Sequence, residues 1–308
     1  MIKNFEALLK VAQQQSKMKL AVAAAQDEEI LVAVCNAAEL GIVDPILVGD
    51  LEEIQKIAKE HKLCIDQYKI MDCKEFDEAA KTAVSLVSSG KADFVMKGLL
   101  DTAILLKAVL DKEIGLRTDR QLSHVMVYQV PAYHKLIFLT DGGMNIAPNL
   151  EEKVDITKNV IQVTKAMGIE TVKIACLAAK EKVNPKMPAT IDADALKQKS
   201  RDGEFGEDVI LDGPLALDLA ISKEAAKTKK FDSEVAGDAD VLLVPTIEMG
   251  NGIGKALTYF ANAESAGIVM GTKAPVVLVS RADTHKDKLN AIMLGSVIAQ
   301  KNRSIKGE

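Results

Sequence analysis

The chain has 308 residues, so at roughly 150 residues per domain its length fits about two domains. Hydrophobic residues make up 48% and charged residues 27%, the balance of a folded globular protein and not of a disordered or fibrous one. With 39 Lys and Arg against 44 Asp and Glu the net charge is −5, and aromatics are 4% with no Trp, which excludes both bulk attraction to nucleic acid or acidic membranes and a stacking platform for bases.

Leu20–Ala25 is a short apolar run, followed by Ile30, Leu31, Val34, Ala37 and Ala38 at helical spacing, with Gly41 as a stop. Pro45–Gly49 reads as a second strand and Leu51–His61 as a helix. A strand near Tyr68–Met71 leads to a helix at Glu75–Ser89, closed by Gly90; Phe94–Met96 is the next strand and Thr102–Leu110 the next helix. The runs Val125–Val130 and Leu136–Thr140 are apolar but for Gln129 and Thr140 and do not alternate, as in strands covered on both faces, and the short connection through Pro131 and His134 allows them to pair antiparallel. Then follow a helix at Glu151–Met167, strands at Val172–Leu177 and Val209–Leu211, and a helix at Leu215–Ser222. The pattern ends with strand Val241–Pro245, helix Lys255–Ala266, strand Val276–Val279 and helix Lys286–Gln300.

Repeated strand–helix order predicts an α/β fold of two lobes with largely parallel sheets and right-handed crossovers. The expected first α/β domain is 1–133 plus 284–308, because the last helix returns to the first lobe, and the second is 134–283. Ligands of such folds bind outside the carboxyl ends of strands, so the strand-to-helix loops carry the functional information.

Pro245 to Lys255 is expected to be a buried strand end, a glycine-rich turn and an immediate helix start. Gly250, Gly252 and Gly254 would let backbone N–H groups approach a ligand, and a helix N-terminus favours an anion. Met249 and Ala256 break the Walker A pattern, and Lys255 stands where Gly-x-Gly-x-x-Gly needs its third glycine. A tight structural turn fits these residues too; the three alternate glycines beside Lys255 favour phosphate or carboxylate binding.

In Val279–Asp287, Arg281 can fork onto oxyanions, Ser280 can donate to a developing oxyanion and Asp287 can accept a proton. The spacing of Thr284 and Asp287 equally matches a capping box, and His285 fits a solvated helix start better than a base. Asp141-Gly142-Gly143 is either loop geometry or a wall of the same site, Lys97 is an anion ligand or an exposed charge, and Asp212 caps the helix after its Gly-Pro turn as well as it serves any function.

Cys35, Cys64, Cys73 and Cys176 are scattered without a Cys-x-x-Cys pair, so neither disulfides nor zinc are expected, and no cluster has the spacing of a metal site. No Gly-x-Ser-x-Gly elbow or activated cysteine offers a covalent acyl carrier. The N-terminus lacks a signal pattern and no apolar run approaches the ~18 residues of a membrane span, so a cytoplasmic protein is expected. Anion recognition plus a single base suits group transfer between two bound substrates.

With these loops in view the sequence resembles the phosphate acetyl/butyryltransferase family, most closely its phosphate butyryltransferase branch. Four motifs carry the resemblance, in order along nearly the whole chain: Thr140-Asp-Gly-Gly-Met-Asn145, Leu211-Asp-Gly-Pro-Leu-Ala-Leu-Asp218, Pro245 through Lys255, and Pro275 through Arg281. The resemblance implies two α/β lobes of the isocitrate-dehydrogenase-like fold with the active site in the cleft between them, assembled as homodimers or higher homo-oligomers. It implies reversible transfer of an acyl group, butyryl first, between coenzyme A and inorganic phosphate in a ternary complex. Coenzyme A and phosphate are then substrates, with no tightly bound cofactor. By the same resemblance Asp287 takes the thiol proton, Arg281 holds the phosphoryl group and Ser280 steadies the carbonyl oxygen. Gly250, Asn251, Gly252, Lys255, Asp141, Gly142 and Lys97 form the expected substrate-binding set.

Two departures stand out. Lys97-Gly-Leu-Leu-Asp-Thr-Ala103 replaces the His-Ser-Thr-Ala-Asp segment of the acetyl branch, and Gly254 replaces the usual Tyr before the motif lysine, which would leave room for a longer acyl chain. The competing readings are a phosphate acetyltransferase of short-chain specificity and a non-catalytic acyl-CoA-sensing module. A dehydrogenase of a related fold is disfavoured because no nucleotide fingerprint appears.

Overall fold

The computed structural model describes residues 1–280 and 283–306. In chain order the elements begin with α1 (Phe5–Gln14), β1 (Met18–Ala23), α2 (Glu28–Glu39), β2 (Val43–Gly49), α3 (Leu51–Glu60), β3 (Lys69–Asp72), α4 (Phe76–Ser88), β4 (Phe94–Lys97) and α5 (Thr102–Val109). They continue with β5 (Ser123–Gln129), β6 (Ile137–Thr140), α6 (Leu150–Ala166), β7 (Val172–Leu177), α7 (Pro188–Arg201), β8 (Val209–Leu215), α8 (Leu217–Ile221) and α9 (Lys223–Thr228). Last come β9 (Val241–Leu243), α10 (Ile247–Tyr259), β10 (Glu264–Met270), β11 (Val276–Val277) and α11 (His285–Lys306).

Side-chain caps set several helix starts. Asp27 accepts the Ile30 N–H at 3.0 Å to begin α2, and Asp50 accepts those of Glu52 and Glu53 at 3.0 and 3.2 Å to begin α3. Asn149 and Glu152 form a reciprocal capping box at the start of α6. Strands β4 and β6 are buried at every position, and up to their last residues, Lys97 and Thr140, both are apolar.

The chain divides into two compact units, one of residues 5–120 with the chain from 266 on, the other of residues 1–4 and 121–265. In the first, strands run β3-β2-β1-β4-β11-β10, all pairs parallel except β10 with β11. The winding reverses between β1 and β4, and α11 packs on α1, α2 and strands β1, β4 and β11. In the second, the order is β5-β6-β9-β7-β8, parallel except for the β5–β6 pair, with Met126 opposite Leu139. The α/β class, the largely parallel pairing and that antiparallel neighbourhood are as read from the sequence.

Strand pairing places the borders of the units elsewhere than 133/134 and 283/284. β5 travels with its partner β6, while β11 joins β4 and carries most of β10 with it. Three local readings also change. The segment read as helix through Ala266 turns into β10 at Glu264. Helices α1, α7 and α9 escaped the sequence pattern; α7 buries only Thr190, Ala193 and Leu196, too sparse an apolar face to read. Asp212-Gly213-Pro214 is no turn but the end of β8, so Asp212 caps nothing and pairs with Lys197 of α7 at 2.6 Å.

Candidate active site

In the unit holding residues 121–265, β6 and β9 are parallel neighbours with Thr140 opposite Leu243, so their carboxyl ends deliver two loops side by side. The Val244 N–H donates to the Thr140 carbonyl and the Ile247 N–H to the Ile146 carbonyl, both at 2.9 Å. Asp141 is only 2% exposed, and both its oxygens are filled. Oδ1 accepts the N–H groups of Gly143 (2.8 Å) and Met144 (2.9 Å); Oδ2 accepts the His124 N–H (3.1 Å) and the Asn145 amide (2.5 Å). A buried carboxylate with four donors organises its loop; it has no lone pair left to offer a substrate.

The two glycines that follow serve close approach. A Cβ on Gly142 would lie 2.6 Å from the Gly250 carbonyl carbon, and one on Gly143 would lie 2.6 Å from Nδ1 of His124. The loop is thus sandwiched between the backbone of α10 and a buried imidazole from β5. Neither His124 nor Asn145 was singled out as a site residue from sequence. The available signal was a histidine at the head of an apolar strand and an asparagine inside the Asp-Gly-Gly-Met-Asn motif.

The glycine-rich segment is not a turn. α10 starts at Ile247, so Gly250, Gly252 and Gly254 all lie inside it, and none has a left-handed φ. Gly250 packs against Gly142. Gly254 faces Tyr128, whose hydroxyl would sit 2.6 Å from an added Cβ, so the glycine serves close approach and not open space. Around Gly252, its chain neighbours and the backbone of α10 aside, no atom among the described residues comes within 4 Å of an added Cβ. The helix N-terminus expected to welcome an anion is taken up by Glu248, whose carboxyl is held below its ordinary value by its own N–H and by the Thr246 hydroxyl. Asn251, Gly252 and Lys255 are exposed on α10. The Asn251 amide lies 3.5 Å from the Gly142 carbonyl, and the Lys255 ammonium lies 6.0 Å from the centre of the Tyr259 ring.

The other unit gathers the remaining candidates at the carboxyl ends of β4 and β11, paired in parallel with Met96 opposite Val277. Lys97 is buried at 4% exposure and donates to the carbonyls of Gly98 (3.1 Å) and Leu100 (3.0 Å), so the exposed-charge alternative falls. Ser280 is exposed; its N–H donates to Asp283 Oδ2 at 2.8 Å, and its carbonyl accepts the Asp283 N–H at 3.1 Å. The Thr284 hydroxyl donates to Asp287 Oδ2 at 2.7 Å and accepts the Asp287 N–H at 3.2 Å, so capping geometry is present at the start of α11. His285 is exposed, with Nδ1 3.5 Å from a Glu29 oxygen. Arg281 lies outside the described residues.

Burial pushes the Cys176 thiol far above its ordinary range and the Cys35 thiol up to about 11, so neither supplies a thiolate near neutral pH. Among the described residues no group of three or more His, Cys, Asp or Glu is placed to hold a metal ion, and no helix is long and apolar enough to cross a membrane.

Comparison with known proteins supplies the context for these loops. The chain matches the family described as Phosphate acetyl/butaryl transferase over residues 4–82 and 74–296. It is 47% identical to the phosphate butyryltransferase of Clostridium acetobutylicum over 299 residues, 97% of this chain and 99% of the relative. It is 42% identical to the phosphate acetyltransferase of Thermotoga maritima over 297 residues, 96% and 99% of the two chains. Its fold superposes with a TM-score of 0.81 on the branched-chain phosphotransacylase of Enterococcus faecalis V583, at 34% identity, covering 92% of this chain and 99% of that one. With identities this high along almost the full length, the chain belongs to the phosphate acetyl/butyryl transferase family and is an acyltransferase.

Proposed function

We propose that this acyltransferase interconverts butyryl-CoA plus phosphate and butyryl phosphate plus CoA, through a ternary complex without a covalent acyl-enzyme. The observation that carries the reading is the 47% identity to a phosphate butyryltransferase over nearly the whole chain. It is supported by a serine and a carboxylate held in one short segment at the carboxyl end of β11.

In the direction of acyl-CoA synthesis the Asp287 carboxylate accepts the proton of the CoA thiol while the sulfur attacks the acyl carbonyl. The C–S bond forms, the bond from the acyl carbon to the phosphate oxygen breaks, and phosphate leaves with its electron pair. The Ser280 hydroxyl donates to the carbonyl oxygen as it gains charge, and Arg281 holds the phosphoryl group. Asp287 works by proximity to the thiol inside the ternary complex. The Thr284 hydroxyl on Oδ2 fixes the carboxylate's direction. In this reading Gly142, Asn251, Gly252 and Lys255 bind substrate, Asp141 shapes its loop, and Lys97 lies at the end of β4 with its charge directed by two carbonyls.

Acetyl transfer is the second reading, favoured by the 42% identity to a phosphate acetyltransferase. Phosphate-dependent release of free thiol from acetyl-, propionyl-, butyryl- and valeryl-CoA decides: butyryl-CoA is expected to give the highest kcat/KM. A maximum at acetyl-CoA would select the second reading, and acyl-CoA binding with no release at any length would leave only a sensing module.

A further inference from the structure

We infer that Lys288 is a positioning residue for acyl transfer, its buried ammonium pinning the loop that carries Ser280 onto the first turn of α11, which carries Asp287. This role rests on those proposed above for Ser280 and Asp287, and all the residues involved belong to the unit of residues 5–120 and the chain from 266 on. Lys288 is only 3% exposed. Lysine is almost never buried so fully unless its charge is engaged, because taking an ammonium out of water is costly. The acceptor that the structure gives this one is a backbone carbonyl, that of Asp283, five residues back along the chain.

Helix capping does not account for that charge. Thr284 already closes the first turn of α11, its hydroxyl accepting the Asp287 N–H (3.2 Å) and its carbonyl the Lys288 N–H (3.0 Å). The ammonium reaches past this turn to the residue before it. Asp283 in turn grips Ser280 twice, its carboxylate accepting the Ser280 N–H (2.8 Å) and its own N–H donating to the Ser280 carbonyl (3.1 Å). A chain of hydrogen bonds thus runs from Ser280 through Asp283 to Lys288, whose neighbour on the helix is Asp287. The helix is a firm base, with Asn290, Ala291, Ile292 and Leu294 buried and α11 packed on α1, α2 and strands β1, β4 and β11.

The proposed reaction needs the Ser280 hydroxyl and the Asp287 carboxylate to meet one substrate together, and misplacing such a group by about 1 Å costs on the order of a hundredfold in rate. One group sits on a loop and the other on a helix, so the loop must be tied to the helix. A charge-assisted hydrogen bond ties it more firmly than a neutral one. For packing alone, an apolar side chain of the same length would fill the space without the cost of burying a charge.

The test is kcat and KM for butyryl-CoA and for phosphate, with Tm, in the wild type, Lys288→Met, Asp283→Ala and the double variant. Lys288→Met keeps the stem and removes the charge; Asp283→Ala frees Ser280 at a half-buried position, so the test stands even if the buried variant does not fold. Each single change is expected to lower kcat about 10- to 100-fold with both KM values within about threefold. Tm is expected to shift by no more than about 4 °C. The double variant is expected to lie within about threefold of the worse single one, because the two residues act in one chain. Full turnover in Lys288→Met, whatever its Tm, would make the lysine a clamp on the fold alone. A rise in either KM of about tenfold or more would make it a substrate ligand, and losses that multiply in the double variant would give the two residues separate roles. Each of these results overturns the inference. Asp287→Asn serves as the control: if it keeps full turnover, or if the wild type releases no thiol from any acyl-CoA, the reading of the site fails and the inference falls with it. An inactive Asp287→Asn beside a fully active Lys288→Met removes the inference alone.

Discussion

Asp287 answers to two descriptions at once. Its N–H and carboxylate both engage Thr284 at the first turn of α11, which is capping, and its carboxylate is the group proposed to take the thiol proton. Asp287→Asn separates them, because the carboxamide oxygen still accepts the Thr284 hydroxyl but no longer accepts a proton. We expect kcat to fall by about 10²–10⁴, with Tm shifted by no more than about 3 °C. Retained turnover with a large Tm loss would leave Asp287 a helix cap only. The residue types of the site were legible in the sequence, but not their states. Asp141 read as loop geometry or a wall of the site and Lys97 as an anion ligand or an exposed charge; the structure buries both and fills them mostly from their own loops, with the His124 N–H reaching Asp141 from β5, and burial depends on how the chain folds around a residue and not on its type.

At the level of elements, the glycines of α10 show why that helix was misplaced. Each glycine costs a helix about 1 kcal/mol relative to alanine, so three in five residues read as a loop. Two of the three are repaid by packing, Gly250 on Gly142 and Gly254 on Tyr128, contacts that join distant stretches of chain. Gly252 has no such contact, and nothing in the structure explains it. Gly295 offers a direct test of the same logic in α11, where an added Cβ would lie 2.8 Å from both Phe94 Cε2 and Val277 Cγ2. Phe94 is fully buried on β4 and has nowhere to move. Overpacking of about 1–3 kcal/mol therefore outweighs the helix-propensity gain of about 1 kcal/mol, and Gly295→Ala is expected to lower Tm by a few degrees in thermal unfolding. A higher Tm would mean that the strands beneath α11 yield.

For the molecule as a whole, a charge cluster at the amino ends of β6, β7 and β9 links stability to pH. Asp238 accepts from Lys173 (2.6 Å) and His134 (2.8 Å) and lies 3.2 Å from Lys135, which in turn pairs with buried Asp240 at 2.6 Å. Burial alone would raise the Asp238 carboxyl, but the hydrogen bonds from Lys173 and His134 and the charge of Lys135 outweigh it and hold it far below the ordinary carboxylate range. A depressed carboxyl stabilises the fold above its unfolded value of about 3.9, and that stability is lost as pH falls below it, since the unfolded chain then binds the proton first. Asp238→Asn is expected to cost about 1–3 kcal/mol at pH 7 and clearly less at pH 2 in denaturant unfolding. A constant difference at both pH values would make the loss one of packing.

The sequence by itself determined the α/β class, the order of most elements and the four motifs that mark the family, because apolar period, turn residues and motif spacing are properties of contiguous chain. Only the tertiary structure decided that the glycines lie within a helix, that Asp141 is fully engaged, that Tyr128 fills the space beside Gly254 and that β5 and β11 set the borders of the two units. Each of these depends on strand pairing or close approach between residues far apart in the chain, which no local pattern encodes.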